Sequence, residues 1–162
     1  MRRLLAIATV LAVFTVPLAL AADTPADGTL SAKRGRGTVV LKLKGTVIGR
    51  VARNGRVQVR DLRPFDLNDP HLTCRPHVRR IGAGTWLCKG RNIGFRVDKG
   101  RFNVNVRGVG ISISAVGRGT VDVDGAGETG VYDGVMSIDS APYESLPDDP
   151  TTYFLGTPPA GG

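Results

Sequence analysis

The sequence contains few of the side chains that most catalytic and metal sites require. Its 162 residues include two histidines, two cysteines, one tryptophan and eight other aromatic residues. Histidine is the most frequent general base and a common metal ligand, and aromatic rings are the surfaces on which nucleic-acid bases stack. We therefore expect no cofactor and no metal. Most of the few aromatic rings are expected in the core.

Long apolar runs are also scarce, and the one that exists lies at the beginning of the chain. Arg2 and Arg3 precede an apolar segment from Leu4 to Leu20, which ends in small residues. This pattern is typical of a secretory signal peptide over residues 1–21 and is short for a membrane anchor. We expect a secreted or extracytoplasmic protein with no membrane span after signal removal.

Helical periodicity is missing from the rest of the chain. Val39, Leu41 and Leu43 alternate with other residues, and most of the segment 95–124 alternates in the same way. Alternation with a period of two predicts strands with one buried and one wet face. Such a sheet must pack on a second layer or close on itself. The sequence therefore predicts an all-β fold, an antiparallel meander that forms a β-sandwich or a flattened barrel.

The same alternation assigns the side chains between residues 95 and 124 to two faces. The expected inward set is Phe95, Val97, Phe102, Val104, Val106, Ile111, Ile113, Val121 and Val123. The expected outward set is Arg96, Asn103, Asn105, Arg107, Ser112, Ser114, Asp122 and Asp124.

Because Phe95 and Phe102 are expected to face inward, the basic strands lack the exposed rings of a nucleic-acid site. We do not expect nucleic acid as a partner.

Residues 107–127 contain many glycines but do not form a phosphate-binding loop. Such a loop needs a helix after the glycines, whereas strand-like residues follow both Gly108 and Gly119. We therefore expect these glycines at the turns of the meander. Tight hairpin turns with positive φ angles are predicted at Asn54-Gly55, Lys99-Gly100 and Asp133-Gly134.

Composition divides the exported chain into three parts. Residues 22–37 are small, polar and rich in glycine, and they predict a flexible leader. Residues 38–156 contain strand-sized segments separated by turns, and they predict a single β-domain. Residues 157–162 are a short tail that we expect to be disordered.

Both cysteines, Cys74 and Cys88, lie in the exported part of the chain. An oxidising compartment favours a disulfide, which would close a loop of about 15 residues and contribute about 3 kcal/mol. The irregular segment 62–80 is then a loop stapled by the disulfide. Free thiols are one alternative. The other is a zinc site completed by His71 and His77, but the spacing is not a strong ligand pattern and nearby arginines repel a cation.

Charge is divided unevenly along the chain. Residues 33–107 hold 19 Lys and Arg against four acids, a net charge of +15, whereas residues 108–162 hold one Arg against eight acids. Acidic strands could lie beside basic strands and form cross-strand pairs. The other interpretation is a basic face for an anionic polymer. The candidate anion-binding residues are Arg56, Arg60, Arg79, Arg80, Arg96, Arg101 and Arg107.

Two further functions remain open as alternatives. Asp122 and Asp124 occupy alternate strand positions, at which two carboxylates can flank a glycosidic bond, so one alternative is a hydrolase. With Glu128 they also suggest a calcium loop, but a third early ligand and the twelve-residue frame are missing. The second alternative is a subunit whose exposed sheet edge pairs with another chain. The oligomeric state stays open.

The segments Asn92–Val97, Arg101–Gly108, Val109–Gly119 and Pro147–Gly156 resemble parts of small, exported, β-rich bacterial proteins that are uncharacterised. The resemblance covers residues 92–156. It implies export and a β architecture, and it brings no catalytic residue and no ligand. We therefore expect an exported, non-enzymatic β-domain, a structural or binding module at the bacterial envelope or outside the cell.

Overall fold

The computed structural model describes residues 26–128 and 131–157. The strands in these residues are β1 (Gly28–Asp61), β2 (His71–Arg75), β3 (Arg79–Gly82), β4 (Thr85–Gly90), β5 (Ile93–Asp98), β6 (Arg101–Gly125), β7 (Val135–Ile138), β8 (Glu144–Ser145) and β9 (Thr151–Leu155). The predicted all-β, antiparallel fold is confirmed. The predicted signal peptide lies outside the described residues, as do residues 158–162 of the tail. No helix in the described ranges has the length and apolar character needed to cross a membrane.

The long strands β1 and β6 dominate the sheet because each pairs with the other along both of its sides. Thr38 is paired with Arg107 on one side and with Asp124 on the other. These two partners lie 17 residues apart along β6, and the same offset continues as far as Lys44. β1 and β6 together form a two-stranded ribbon. Because the two strands pair a second time at this fixed offset, the ribbon must coil. The sheet therefore curls back on itself and forms a half-barrel.

The curled sheet has two walls, and the long strands cross from one wall to the other at bends. The first wall contains, in spatial order, the rows 151–155, 118–125, 36–44, 101–107, 55–61, 85–90 and 79–82. The second wall contains the rows 144–145, 135–138, 28–33, 111–117, 45–51, 93–98 and 71–75. Neighbouring rows in each wall are antiparallel.

A single apolar core lies between the walls, and it contains the inward set that the sequence predicts. All of these side chains are buried, with exposures of at most 4%. None of the side chains in the predicted outward set is buried. The period-two alternation therefore assigns this segment to the correct faces, as expected for a sheet with one wet side.

The predicted flexible leader over residues 22–37 is wrong from Gly28 onward. β1 begins at Gly28, and residues 28–33 form a row of the second wall. Leu30 and Ala32 are core residues, 1% and 4% exposed. Only alternate residues of a strand face the core, so two apolar side chains among polar neighbours were enough to anchor a segment whose composition is that of a loop.

Each predicted turn contains a residue with a positive φ angle, but none closes a hairpin: Asn54 lies inside β1, Lys99 lies between β5 and β6, and Gly134 precedes β7, which pairs with β1 and β8. Asn54, Lys99 and Gly134 have φ angles of 50°, 66° and 98°. Asn54 lies inside β1, and the residues on its two sides pair with β6 and not with each other. Both Asn54 and Lys99 join a row of the second wall to a row of the first. The hairpin prediction is therefore wrong at these positions, and the predicted positive φ angles are found at Asn54, Lys99, Gly100 and Gly134 but not at Gly55 or Asp133.

Glycines at the bends let two crossing strands approach closely. Gly119 has a φ of 153°, and a Cβ there would overlap the carbonyl oxygen of Lys42 and the Cα of Leu43. A Cβ on Gly117 would overlap the carbonyl oxygen of Lys44 in the same way. The glycine-rich stretch thus provides backbone contact between β1 and β6, which explains its composition without a bound phosphate.

Replacement of Gly119 by alanine is expected to destabilise the protein by at least about 2 kcal/mol, because the new Cβ meets backbone atoms that cannot move aside. Urea unfolding followed by circular dichroism measures this change. Gly94→Ala is the matched control, since Gly94 also lies in a strand and a Cβ there meets nothing within 4 Å. Equal unfolding midpoints for the two variants would contradict the close approach of the strands.

The predicted disulfide is confirmed, and it joins the two walls at their open side. Cys74 on β2 is bonded to Cys88 on β4. β2 is the outermost row of the second wall and β4 is a row of the first wall. The bridge removes both thiolates from the alternative zinc site. Part of the stapled segment is more regular than expected, because β2 and the beginning of β3 lie within residues 62–80.

Candidate anion-binding face

The outer surface of the first wall carries a group of cations, called the basic face below. Its members are Lys42, Lys44, Arg56, Arg60, Lys89, Arg101, Arg107 and Arg118. They come together because residues opposite each other in a sheet share a face, and the rows 36–44, 55–61 and 101–107 are neighbours in this wall. All of these side chains are exposed or half-buried.

Several cations of the basic face lie directly opposite one another on neighbouring strands. Lys44 lies between Arg101 and Arg118, and Arg56 lies opposite Arg107. Side chains at such positions have Cβ atoms about 4.5–5.5 Å apart, and like charges there destabilise a sheet. Positions that break a local rule of stability are often functional. A bound anion would relieve this repulsion.

Acidic side chains neutralise one border of the basic face and leave its centre unpaired. Lys42 Nζ lies 3.4 Å from Asp122 Oδ2, and Arg118 Nε lies 3.0 Å from Asp27 Oδ1. In the described part of the chain, no carboxylate lies within 4.0 Å of the charged nitrogens of the other members. Cross-strand pairs between acidic and basic strands thus exist at the border formed by the row 118–125. A surplus of positive charge remains in the rows 55–61 and 101–107, called the centre of the basic face below.

Polar, uncharged side chains fill positions between the cations. Asn103 lies opposite both Lys42 and Arg60. Gln58 Oε1 accepts a hydrogen bond of 2.9 Å from Arg56, which holds the guanidinium along the sheet. Side-chain amides both donate and accept hydrogen bonds. The face can therefore contact hydroxyl or carbonyl groups of a ligand as well as its charges.

The structure separates the predicted arginines into three groups. Four of them lie on the basic face: Arg56, Arg60, Arg101 and Arg107. Arg79 lies at the edge of the same wall, on β3, whereas Arg80 points to the opposite side and lies opposite Trp86. Arg96 lies on the second wall. Period-two alternation identified exposed arginines but not the wall to which each belongs.

Arg96 takes part in a local ion pair outside the basic face. Its Nε lies 2.9 Å from Asp98 Oδ2, and this hydrogen bond is the main reason why the pKa of Asp98 lies below its ordinary value. His71 Nδ1 lies 3.4 Å from the other carboxylate oxygen and lowers the pKa of Asp98 further. The charge of Arg96 is therefore balanced within the second wall.

The sequence interpretation missed four members of the basic face: Lys42, Lys44, Lys89 and Arg118. A signal for two of them was present, because Lys42 and Lys44 alternate with buried leucines and must face outward. What the sequence did not show is that the row 36–44 lies beside the row 101–107. These two rows are neighbours because the ribbon formed by β1 and β6 coils.

One end of the basic face opens into a groove with cationic and apolar sides, called the amphipathic groove below. Its volume is about 480 Å³. The side chains that define it are Lys42, Lys44, Arg101, Arg118, Leu62 and Phe154. Leu62 and Phe154 are 45% and 59% exposed. The groove therefore offers apolar contact next to positive charge.

The other end of the basic face is a cleft with charges of both signs. Its volume is about 710 Å³, and Arg56 and Arg107 share it with Asp124 and with a salt bridge from Arg36 to Glu128. In that salt bridge, Arg36 donates to Glu128 Oε1 at 2.6 Å. Asp124 and Glu128 line the same cleft, but in the described residues neither has an oxygen within 4.0 Å of the charged nitrogens of Arg56 or Arg107.

One member of the carboxylate pair considered for a hydrolase, Asp122, is engaged with neighbouring strands. Thr152 Oγ1 donates to Asp122 Oδ1 at 2.7 Å, and Lys42 contacts the other oxygen. His71 contacts Asp98 on the second wall, so no ion pair in the described residues joins a histidine to the carboxylate pair. Within residues 26–128 and 131–157, no group of three His, Cys, Asp or Glu side chains is arranged to hold a metal.

Comparison of the chain with protein-family models, curated proteins and solved structures finds no match. No relative therefore contributes a function, and the class of protein is defined by its architecture. It is an all-β half-barrel with a disulfide between its walls and a basic face on one of them.

Proposed function

We propose that this protein is a non-enzymatic binding module that contacts an anionic polymer through the basic face. The observation that carries the proposal is the opposition of cations on neighbouring strands, Lys44 with Arg101 and Arg56 with Arg107, none of which has a carboxylate within 4.0 Å in the described chain. The site of action is the bacterial envelope or the extracellular space. Two features support this location, namely the N-terminal sequence pattern and a disulfide compatible with an oxidising compartment.

An extended polymer suits this face better than a small anion. The cations occupy neighbouring rows that are about 4.8 Å apart, so they cover a surface and do not converge on one point. A single exposed charge contact is weak. A polyanion can make many such contacts at once, and linked contacts raise the overall affinity.

The edges of the sheet give less support to the alternative of an edge-pairing subunit. The outermost strands β2, β3, β8 and β9 have five, four, two and five residues. Short edge strands offer few unpaired backbone groups to another chain. The basic face is therefore the stronger candidate for a binding surface.

Binding to dextran sulfate, with neutral dextran as the comparison polymer, tests the proposal. We expect binding to dextran sulfate only, with an affinity that falls steeply as salt rises, because exposed charges are screened. Arg56→Gln combined with Arg107→Gln removes two opposed cations and is expected to weaken binding about tenfold. Isothermal titration calorimetry over a salt series measures both effects.

The matched control is Arg50→Gln combined with Arg96→Gln, which removes the same charge from the second wall. We expect this variant to retain most of its affinity, because neither arginine belongs to the basic face. Equal losses in the two double variants would show that net charge drives binding and would overturn the proposal. Affinity that does not change with salt would overturn it as well.

A further inference from the structure

The loop between β1 and β2 displays two apolar side chains to solvent. Phe65 and Leu67 are 100% and 104% exposed. Isolated apolar side chains on a surface are ordinary, but neighbouring exposed ones often mark an interaction site. Leu62, at the start of the same loop, is 45% exposed and adds to the apolar surface.

Hydrogen bonds within the loop fix the backbone that carries Phe65 and Leu67. Arg63 N donates to Asp61 Oδ1 at 2.7 Å, and Asn68 N donates to Asp66 Oδ1 at 2.8 Å. Asp66 N also donates to the carbonyl oxygen of Arg63 at 3.1 Å. These bonds form consecutive turns around Phe65. The ring is therefore presented by a structured loop.

The loop lies next to the cations of the amphipathic groove. Leu62 N donates to the carbonyl oxygen of Arg101 at 3.0 Å, and the Leu62 side chain lines the groove together with Lys44. Further along the loop, the backbone of Asn68 lies against Gly100, where a Cβ would overlap its carbonyl oxygen. Apolar side chains and cations are therefore side by side at one end of the first wall.

We propose that this end of the protein docks on an anionic lipid bilayer. Phe65 and Leu67 enter the boundary between head groups and acyl chains, and the cations of the amphipathic groove contact the lipid phosphates. Peripheral binding to anionic membranes depends on this combination of apolar burial and basic residues. The protein lies on the bilayer and does not cross it.

Other partners account for only part of these observations. A hydrophilic polyanion would neutralise the cations but would leave Phe65 and Leu67 in water. A second copy of the chain would cover these side chains, but a two-fold interface would bring the two groups of cations together. Asp66 and Asp69 in the loop reduce the local positive charge, but they are outnumbered by Lys44, Arg63 and Arg101, which have no ion pair in the described residues. An anionic bilayer matches both the apolar and the charged part.

Sedimentation with lipid vesicles tests the proposal. Vesicles of phosphatidylcholine alone are compared with vesicles that also contain phosphatidylglycerol, and we expect binding to the latter only. Phe65→Ser combined with Leu67→Ser is expected to weaken binding about tenfold or more, because two side chains lose apolar burial. Lys44→Gln combined with Arg101→Gln is expected to weaken it about tenfold.

Ile48→Ser combined with Val116→Ser is the matched control, since both side chains are 48% exposed on the second wall. It is expected to bind vesicles like the wild type. Equal binding to both kinds of vesicle, or unchanged binding after the Phe65 and Leu67 substitutions, would overturn the proposal. A dimer that these substitutions dissociate, with no vesicle binding by the wild type, would assign the loop to a second copy and also overturn it.

Insertion of the loop is tested separately with Phe65→Trp. Brominated phospholipids in the phosphatidylglycerol vesicles are expected to quench the fluorescence of this tryptophan, because their acyl chains carry the quencher and must touch it. Ile48→Trp is the control and also reports the background from Trp86. Equal quenching in the two variants would show that the loop does not insert.

The vesicle and polymer experiments can fail independently. The Phe65 and Leu67 substitutions leave the centre of the basic face unchanged, so this variant is expected to bind dextran sulfate like the wild type. Vesicle binding without dextran sulfate binding would reject only the polymer as a ligand. Dextran sulfate binding without vesicle binding would reject only the membrane.

Discussion

Replacement of Phe102 by alanine is expected to lower the free energy of unfolding by about 3–5 kcal/mol, the range found when a large aromatic side chain is removed from a packed core. Phe102 is 0% exposed and lies opposite Leu43 and Asp61 in the first wall. Its row is held between two neighbouring rows of the same wall, so the surroundings cannot collapse into the space. Urea unfolding followed by circular dichroism measures the loss.

Phe154→Ala is the control for this experiment. Phe154 lies on the same wall but is 59% exposed, and its truncation is expected to change the free energy of unfolding by less than about 1 kcal/mol. If Phe102→Ala were as stable as Phe154→Ala, the two walls would not enclose a packed core. The comparison also shows whether Phe154 can be removed from the amphipathic groove without damage to the fold.

The identity of the core residues was predictable because a strand encodes its two faces in alternate positions. In β6, Val104 and Val106 are 0% exposed, whereas Asn105 between them and Arg107 after them are exposed. This relation is local, and it holds whatever strand lies next to β6. The buried face can therefore be predicted without knowledge of the strand order.

The neighbours of each strand were not predictable in the same way. Lys44 and Arg118 are far apart in the sequence, and nothing in either segment shows that they are opposite each other. Their contact arises from a second row of pairing between β1 and β6, offset by the coil of the ribbon. The basic face is made of such contacts, so the sequence predicted exposed arginines without the surface that they form.

The expectation that most aromatic rings belong to the core is also wrong, because four of the eight rings in the described residues are exposed, and two of these four lie at the candidate sites. Phe65 and Phe154 are exposed, as are Tyr132 and Tyr143. Phe65 lies in a loop, and Phe154 lies in an edge strand, where the alternation is short. Composition alone does not distinguish a ring that fills a core from one that is presented to a partner.

The two proposals place different contacts on one wall. The centre of the basic face contains cations and amides, whereas the amphipathic groove at its end has apolar side chains beside its cations. A charged ligand can be exchanged at the centre by a change of salt, since exposed ion pairs are screened. Apolar contacts at the end respond little to salt. Salt also screens the groove cations from lipid phosphates, so we expect vesicle binding to fall with salt, but less steeply than binding to dextran sulfate.

Loss of the Cys74–Cys88 bridge is expected to lower the free energy of unfolding by about 3 kcal/mol, because the bridge restricts a loop of about 15 residues in the unfolded chain. The bridge also links the two walls of the sheet. It connects the outermost row of the second wall with a row of the first, and Cys88 is 0% exposed in the core. Cys74→Ala combined with Cys88→Ala removes it.

Unfolding of the wild type with and without a reductant, and of the double alanine variant under both conditions, measures the effect. The reductant is expected to destabilise the wild type and to leave the variant unchanged, because the variant has no disulfide to reduce. A wild type that is insensitive to the reductant under unfolding conditions would contradict the prediction. The rows 36–44, 55–61 and 101–107 are paired with one another and not with β2. Below its unfolding transition, the double alanine variant is therefore expected to retain its basic face and its affinity for dextran sulfate.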